Sequence, residues 1–316
     1  MTSGYMQLVI HAGIHRTGTT SLQRTLARNR GALLARGVAY PGEAPNHQPL
    51  AWELVRGRSG AREVLALVEA AGAPRVVLSG EDFAIHEDLG WLAPVAKRHD
   101  VRVVFYLRRQ DHWLMSWYNQ HVKWPFDPVK SRLDPQAFLA AIDDFHWLDY
   151  ARLLGRWSAA LGEGRVAAAV LEKGQVEDVT PDFLARLGID AAGLELDEER
   201  TNDSLPVHML ELARHLGLFE LRGGKRMRLL NALRAGLADR APAGRVTTVY
   251  SPEERNRVLA RFEAPNREAA RRFLGREALF LEPPPGPDAP YWRFPELPRD
   301  ALLDDWVAPV VRALLG

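Results

Sequence analysis

The residues best suited to chemistry lie together in His11-Ala12-Gly13-Ile14-His15-Arg16-Thr17-Gly18-Thr19-Thr20-Ser21. A guanidinium, the hydroxyls of Thr17, Thr19, Thr20 and Ser21, and two glycines that permit a tight turn are the parts of an oxyanion site. Before them, Leu8-Val9-Ile10 reads as a buried strand; after them, Leu22, Leu26 and Leu33 have the spacing of a helix's buried stripe. Strand, turn and helix start in that order aim backbone N–H groups and the positive helix end at one point, which suits a phosphate-like group.

Gly13 and Gly18 are spaced as in a Walker A loop, but Thr19 stands where that loop needs Lys. A triphosphate site also needs that lysine on the β- and γ-phosphates and a hydroxyl on magnesium. Here the cation is Arg16, and the loop is better shaped for one terminal phosphate. Arg16-Thr17-Gly18-Thr19-Thr20 resembles the 5′-phosphosulfate loop of sulfotransferases that use 3′-phosphoadenosine 5′-phosphosulfate (PAPS), which reads Lys or Arg, Ser or Thr, Gly, Thr, Thr. With His11-Ala12-Gly13 and Ser21-Leu22-Gln23 included, the chain resembles the bacterial branch of that family. The resemblance implies that Arg16, Thr17, Gly18, Thr19, Thr20 and Ser21 hold the 5′ end of PAPS and that adenosine 3′,5′-bisphosphate (PAP) is the product. A sulfuryl group carries less charge than a phosphoryl group, so a metal is not expected.

The second informative stretch runs from Tyr106-Leu107-Arg108-Arg109 to Ser116. In the family it resembles, the cofactor's 3′-phosphate is bound by an Arg ending a strand and a Ser eight residues on; Arg108 and Ser116 have that spacing. An Arg fork gives planar, charge-assisted bonds to phosphate, and a Ser adds a hydroxyl donor. Arg109 reads equally well as facing solvent. The acceptor's proton needs a base within hydrogen-bond reach, and the resemblance points to the loops after the second and third strands. Glu81 ranks first as catalytic base, His47 second and Glu43 third, with Arg16 as the catalytic cation on the leaving phosphate.

Strands must carry these loops. Short apolar runs at 37–41, 74–79, 101–107 and 165–172 alternate with helical patterns, which predicts an α/β, P-loop-like three-layer fold. Its central parallel sheet has about five strands flanked by helices, with ligands at the strands' carboxyl ends. Helices are expected at 49–56, 61–71, 88–98, 135–145, 150–161 and 178–187. Amphipathic helices then follow at 207–216, 225–237, 252–261 and 265–274, with a last one at 299–315. A PAPS-binding core over 1–193 and a helical C-terminal extension over 194–316 are expected, entered through Thr201-Asn202-Asp203-Ser204-Leu205-Pro206 and forming one continuous domain. Arg222-Gly223-Gly224-Lys225-Arg226 reads as a loop before a basic helix, not as a second phosphate clamp.

Composition closes off several classes. The 316 residues hold 41 Lys and Arg against 40 Asp and Glu, so no nucleic-acid partner is expected. With no cysteine, disulfides and thiolate metal sites are excluded. No stretch approaches the ~20 apolar residues of a membrane span, so no stable membrane insertion is expected. No charged-then-apolar signal pattern stands out, and a cytoplasmic location is the expectation. The reading is thus a PAPS-dependent sulfotransferase acting on a hydroxyl or amine of a glycan, lipid or small molecule. Its rivals are a P-loop kinase or nucleoside triphosphatase, and a non-catalytic nucleotide- or glycan-binding module on the same fold.

Overall fold

The computed structural model describes residues 5–197, 204–216 and 221–315. In chain order the elements are β1 (Gln7–His11), α1 (Thr19–Arg28), α2 (Arg30–Ala35), β2 (Val38–Ala39), α3 (Gln48–Val55), α4 (Ala61–Ala70), β3 (Arg75–Ser79), α5 (Leu92–Ala96) and β4 (Asp100–Leu107). Then come α6 (Gln110–Lys123), α7 (Pro135–Ala140), α8 (Tyr150–Leu161), β5 (Val166–Val170) and α9 (Val179–Arg186). The C-terminal helices are α10 (Val207–His215), α11 (Gly224–Gly236), α12 (Pro252–Arg261), α13 (Glu263–Leu274), α14 (Arg299–Leu302) and α15 (Ala308–Leu315).

The chain forms two compact units. One comprises Met1–Arg109, His146–Asn202 and Phe262–Pro283; the other comprises Gln110–Phe145, Asp203–Arg261 and Pro284–Gly316. Both are discontinuous in sequence, unlike a split at 193. α6 and α7 belong with the C-terminal helices, and α13 packs on α8 and β5 of the sheet unit. Of the expected linker, residues 201–203 lie outside the described residues.

The first unit holds a five-stranded, all-parallel sheet in the order β2-β3-β1-β4-β5. Its strands are apolar on both faces because helices cover both, as a parallel sheet requires. On one face Val9, Val77, Val104 and Tyr106 meet Leu22 and Leu26 of α1 and Phe183 and Leu184 of α9. On the other, Phe105 packs edge-on against Trp157 of α8, ring centroids 5.6 Å apart. Each such side chain, fully buried, contributes about 1.5–3 kcal/mol. Asp149 and Asp178 start α8 and α9, their carboxylates accepting the N–H of Arg152 and Thr180 at 2.9 Å each.

This order fixes the site. β1 lies between β3 and β4, and the connections reverse direction beside it, which is where α/β sheets bind ligands. The turn after β1 is therefore flanked by the turn after β3 (Glu81, Asp82) and by Arg108 at the end of β4.

Two expected helices come out differently. The one at 88–98 shrinks to α5, because Gly90 opens an Asx turn in which the Asp88 carboxylate accepts its N–H at 2.8 Å. The last helix, in the second unit, is interrupted by a π turn over Leu303–Val307. Pro309 has no N–H for the carbonyl of Asp305, and the wider turn absorbs the fault. No helix among the described residues is long and apolar enough to cross a membrane.

Candidate active site

The turn after β1 is wound tightly. A Cβ at Gly13 would stand 2.4 Å from Thr19 Cγ2 and 3.1 Å from the His11 ring, so only glycine fits. Gly18, the N-cap of α1, is left-handed at φ +77, and so is Arg16 at φ +70. Arg16 is the one non-glycine residue with positive φ among the described residues. An L side chain held there costs about 1–2 kcal/mol. α1 begins with no side-chain cap and no acidic residue in its first turn. Its leading N–H groups and its positive end are directed at the turn, ready for an anion.

Arg108 reaches that turn. Its Nη1 donates to the carbonyl of Arg16 at 2.7 Å, and its own carbonyl accepts the Tyr150 hydroxyl. Two guanidinium groups are thereby gathered at one rim. Burial, with the neighbouring Arg108 charge, pulls the Arg16 guanidinium down to about 10, while Glu81 acts in the opposite direction. Arg16 stays charged at neutral pH, and it and Arg108 are two like charges side by side, a setting that favours an added anion. Arg109 faces no solvent; it is buried and donates to the carbonyls of Glu282 and Pro283 at 3.1 and 2.9 Å.

The hydroxyl run is used differently from expectation. Thr17 donates to the Ile14 carbonyl at 2.7 Å, Thr19 to the Glu81 carboxylate, and Ser21 to the Asp197 carbonyl at 2.7 Å. A hydroxyl has one proton to donate, so these three shape the turn. Thr20, partly exposed at the start of α1, is the member of the run not committed in this way.

The base candidates separate as sharply. His47 is buried with both ring nitrogens on backbone: Nε2 donates to the Pro41 carbonyl at 2.9 Å, and Nδ1 accepts the Ser79 N–H at 3.1 Å. Burial pushes its pKa down to about 4. It ties the loop after β2 to β3 and offers no lone pair to a substrate. Glu81 stands at the turn, one oxygen accepting from Thr19 and the other from the Gln23 amide at 3.4 Å. Glu43 is exposed on the loop after β2, with β3 lying between its strand and β1. Ser116 is buried on α6 of the second unit.

Sequence reasoning missed a second cluster beside the turn. His15 Nε2 and Asp82 Oδ1 are 2.7 Å apart, and the Trp52 indole N–H donates to Asp82 Oδ2. It also missed His11, fully buried under Gly13, whose Nδ1 lies 2.7 Å from Ser79 Oγ on the paired position of β3. Burial lowers the His11 pKa to about 4. Only the strand order brings these residues together; the available signal was that His15 and Asp82 each adjoin a residue already singled out.

No protein-family model matches the chain. A protein of Archaeoglobus fulgidus, described as uncharacterized, is 28% identical over 183 residues, 57% of this chain. The chain spans about half, 48%, of that relative's length. Among solved structures, the crystal structure of a sulfotransferase from Alicyclobacillus acidocaldarius is similar with a TM-score of 0.42 and 16% identity, over 71% of this chain and 99% of that one.

Proposed function

We propose that the chain is a sulfotransferase that binds PAPS at the turn after β1 and moves its sulfuryl group to a hydroxyl of a glycan, lipid or small molecule. The observation that carries this reading is the bond from Arg108 to the Arg16 carbonyl, which sets a second guanidinium beside an uncapped helix start. A mononucleotide with separate 5′ and 3′ charges answers two cations better than a single phosphate does. Thr19 in place of the Walker lysine weighs against a triphosphate. Bound PAPS supplies an activated sulfuryl group whose leaving group is the 5′-phosphate of PAP. Arg16 and the first N–H groups of α1 stabilise the charge that develops on that phosphate, a role worth about 10²–10³ in rate. Arg108 selects the 3′-phosphate. Thr17, Thr19 and Ser21 keep the turn's shape, Thr20 donates to the anion, and Glu81 holds Thr19 and Gln23 in register.

The bonds on His47 and Glu81 would also suit a module that binds nucleotide without turnover. Thermal melts with PAP, PAPS and ATP–magnesium, followed by transfer of labelled sulfate, separate the readings. PAP should raise the melting temperature at concentrations where ATP–magnesium does not. Equal stabilisation by ATP–magnesium would overturn the assignment, and PAP binding with no sulfate release would leave a binding module.

A further inference from the structure

A cavity of about 360 Å³ lies wholly within the second unit, bordered by α6, the start of α7, α10 and an extended run at 291–294. Val207 and Leu210 of α10 and Val249 give it a buried apolar lining. Exposed and half-buried residues alternate along 291–294, so Trp292 and Phe294 turn inward and form an aromatic wall. The Trp292 backbone N–H donates to the Thr248 carbonyl at 2.8 Å, which fixes the run in place. The indole N–H of Trp292 is also buried, yet it has no hydrogen-bond partner among the described residues. Leaving such a donor unmet costs about 1–3 kcal/mol, so an oxygen supplied from outside the chain would be held there.

The remaining polar groups are of mixed kind. Tyr118 of α6 is fully buried, and its hydroxyl stands among Asp134, Glu211 and Arg214. Burial, with Glu211 beside it, pushes this phenol well above its usual range, so it keeps its proton and can donate. Asp134, exposed at the rim, caps α7 by accepting the Ala137 N–H at 2.8 Å on one oxygen. The charges cancel: Glu211 is ion-paired with Arg214, and Asp134 is matched on the lining by Arg293. No net charge draws an ion of either sign. What the lining calls for is a neutral molecule with one apolar face and several groups that both donate and accept.

We infer that this cavity of the second unit is a carbohydrate-binding site that takes one neutral pyranose ring at the end of a glycan. The C–H face of the ring lies against the aromatic wall. Its hydroxyls accept from the Trp292 indole N–H and the Tyr118 hydroxyl and donate to Asp134, which a cation or an anion could not do together. The volume is at the low end of the ~300–1,000 Å³ usual for ligand cavities, enough for one or two rings. The inference does not rest on the sulfotransferase reading, and it holds whether or not the first unit binds PAPS.

The test uses the full chain without nucleotide and titrates the methyl glycosides of glucose, galactose, mannose and N-acetylglucosamine, followed by saturation-transfer NMR. Choline chloride and sodium sulfate serve as the charged comparison probes. At least one glycoside should bind with a Kd of about 10 mM or tighter, and neither charged probe should. Asp134→Asn keeps a residue that caps α7 equally well but removes the charge, and should weaken the glycoside about tenfold. Tyr118→Phe keeps the ring and should weaken it about fivefold. Gln136→Ala, an exposed change on the same rim, should weaken it about threefold and serves should either of the other two disturb the fold. Glu253→Gln, on the exposed start of α12 and outside the cavity's lining, should leave the Kd unchanged. Thermal melts confirm that the variants compared are folded. Binding by none of the four glycosides would overturn the inference, as would binding of choline or sulfate in their place. So would glycoside binding that the cavity variants leave untouched or that Glu253→Gln weakens as much.

Discussion

Gly13 offers a sharp test of the turn, because the nearest obstacle to any side chain there is a single methyl group. An alanine methyl would sit 2.4 Å from Thr19 Cγ2. Carbon contacts are comfortable at about 3.5–4.0 Å, so more than 1 Å of movement must come from a turn pinned by Arg108 and by the start of α1. Overpacking of that kind costs about 1–3 kcal/mol, or a melting temperature lower by roughly 2–6 °C at about 2 °C per kcal/mol for a chain of this size. Since the N–H groups of the turn move with it, PAP affinity should fall at least about tenfold. Thr19→Ser removes Cγ2 and keeps the hydroxyl that Glu81 accepts, so the double variant Gly13→Ala/Thr19→Ser should recover about 1 kcal/mol relative to the sum of the single changes. The His11 ring, 3.1 Å from the new methyl, keeps the recovery incomplete. Urea melts and PAP titrations of the four proteins complete the cycle. Strict additivity, or a Gly13→Ala chain as stable and as tight for PAP as the parent, would refute the account.

Arg108→Ala should erase about 1.5–3 kcal/mol of preference for 3′-phosphorylated over unphosphorylated adenosine nucleotide, read by competition titration; retained discrimination would remove Arg108 from the 3′ site. Arg16→Ala should lower turnover by about 10²–10³, with secondary structure unchanged by circular dichroism. His47→Ala should cost about 1–3 kcal/mol of stability by stranding the Ser79 N–H and the Pro41 carbonyl, measured by urea unfolding; a loss of turnover without loss of stability would restore it as a base. Acid should weaken the fold through His11 and His47. Above pH 6.5 neither state binds their protons; between 6.5 and about 4 only the unfolded chain does, so stability falls as pH falls; below about 4 both states do and the slope ends. The two together should cost several kcal/mol across that window, and His11→Gln should flatten the slope; urea midpoints constant from pH 7 to pH 4 would contradict their burial as neutral rings.

The sheet was legible because its strands are apolar on both faces and bounded by turn formers: 101–107 and 74–79 emerge within a residue of β4 and β3. α8 is found at its expected limits, since Asp149 and Gly162 mark its ends. The position of Arg16 between strand and helix was also readable, being a matter of adjacent residues. What could not be read is whatever depends on β1 lying between β3 and β4. Those are the Arg108 bond to the Arg16 carbonyl, the capture of Thr19 by Glu81, and the meeting of His15 with Asp82 across 67 residues of chain. Short side chains at a helix start look alike in sequence whether they donate to a ligand or to the protein's own carbonyls. The interleaving of the two units was hidden for the same reason, as the amphipathic face of α13 does not say which partner covers it.

The left-handed backbone at Arg16 means that the chain keeps its cation at a position which glycine or asparagine would occupy with less strain. A screen that rewarded heat resistance alone would drift towards those residues and discard the charge. Sturdier variants recovered from such a screen should therefore be checked first at this codon, where durability and usefulness pull in opposite directions.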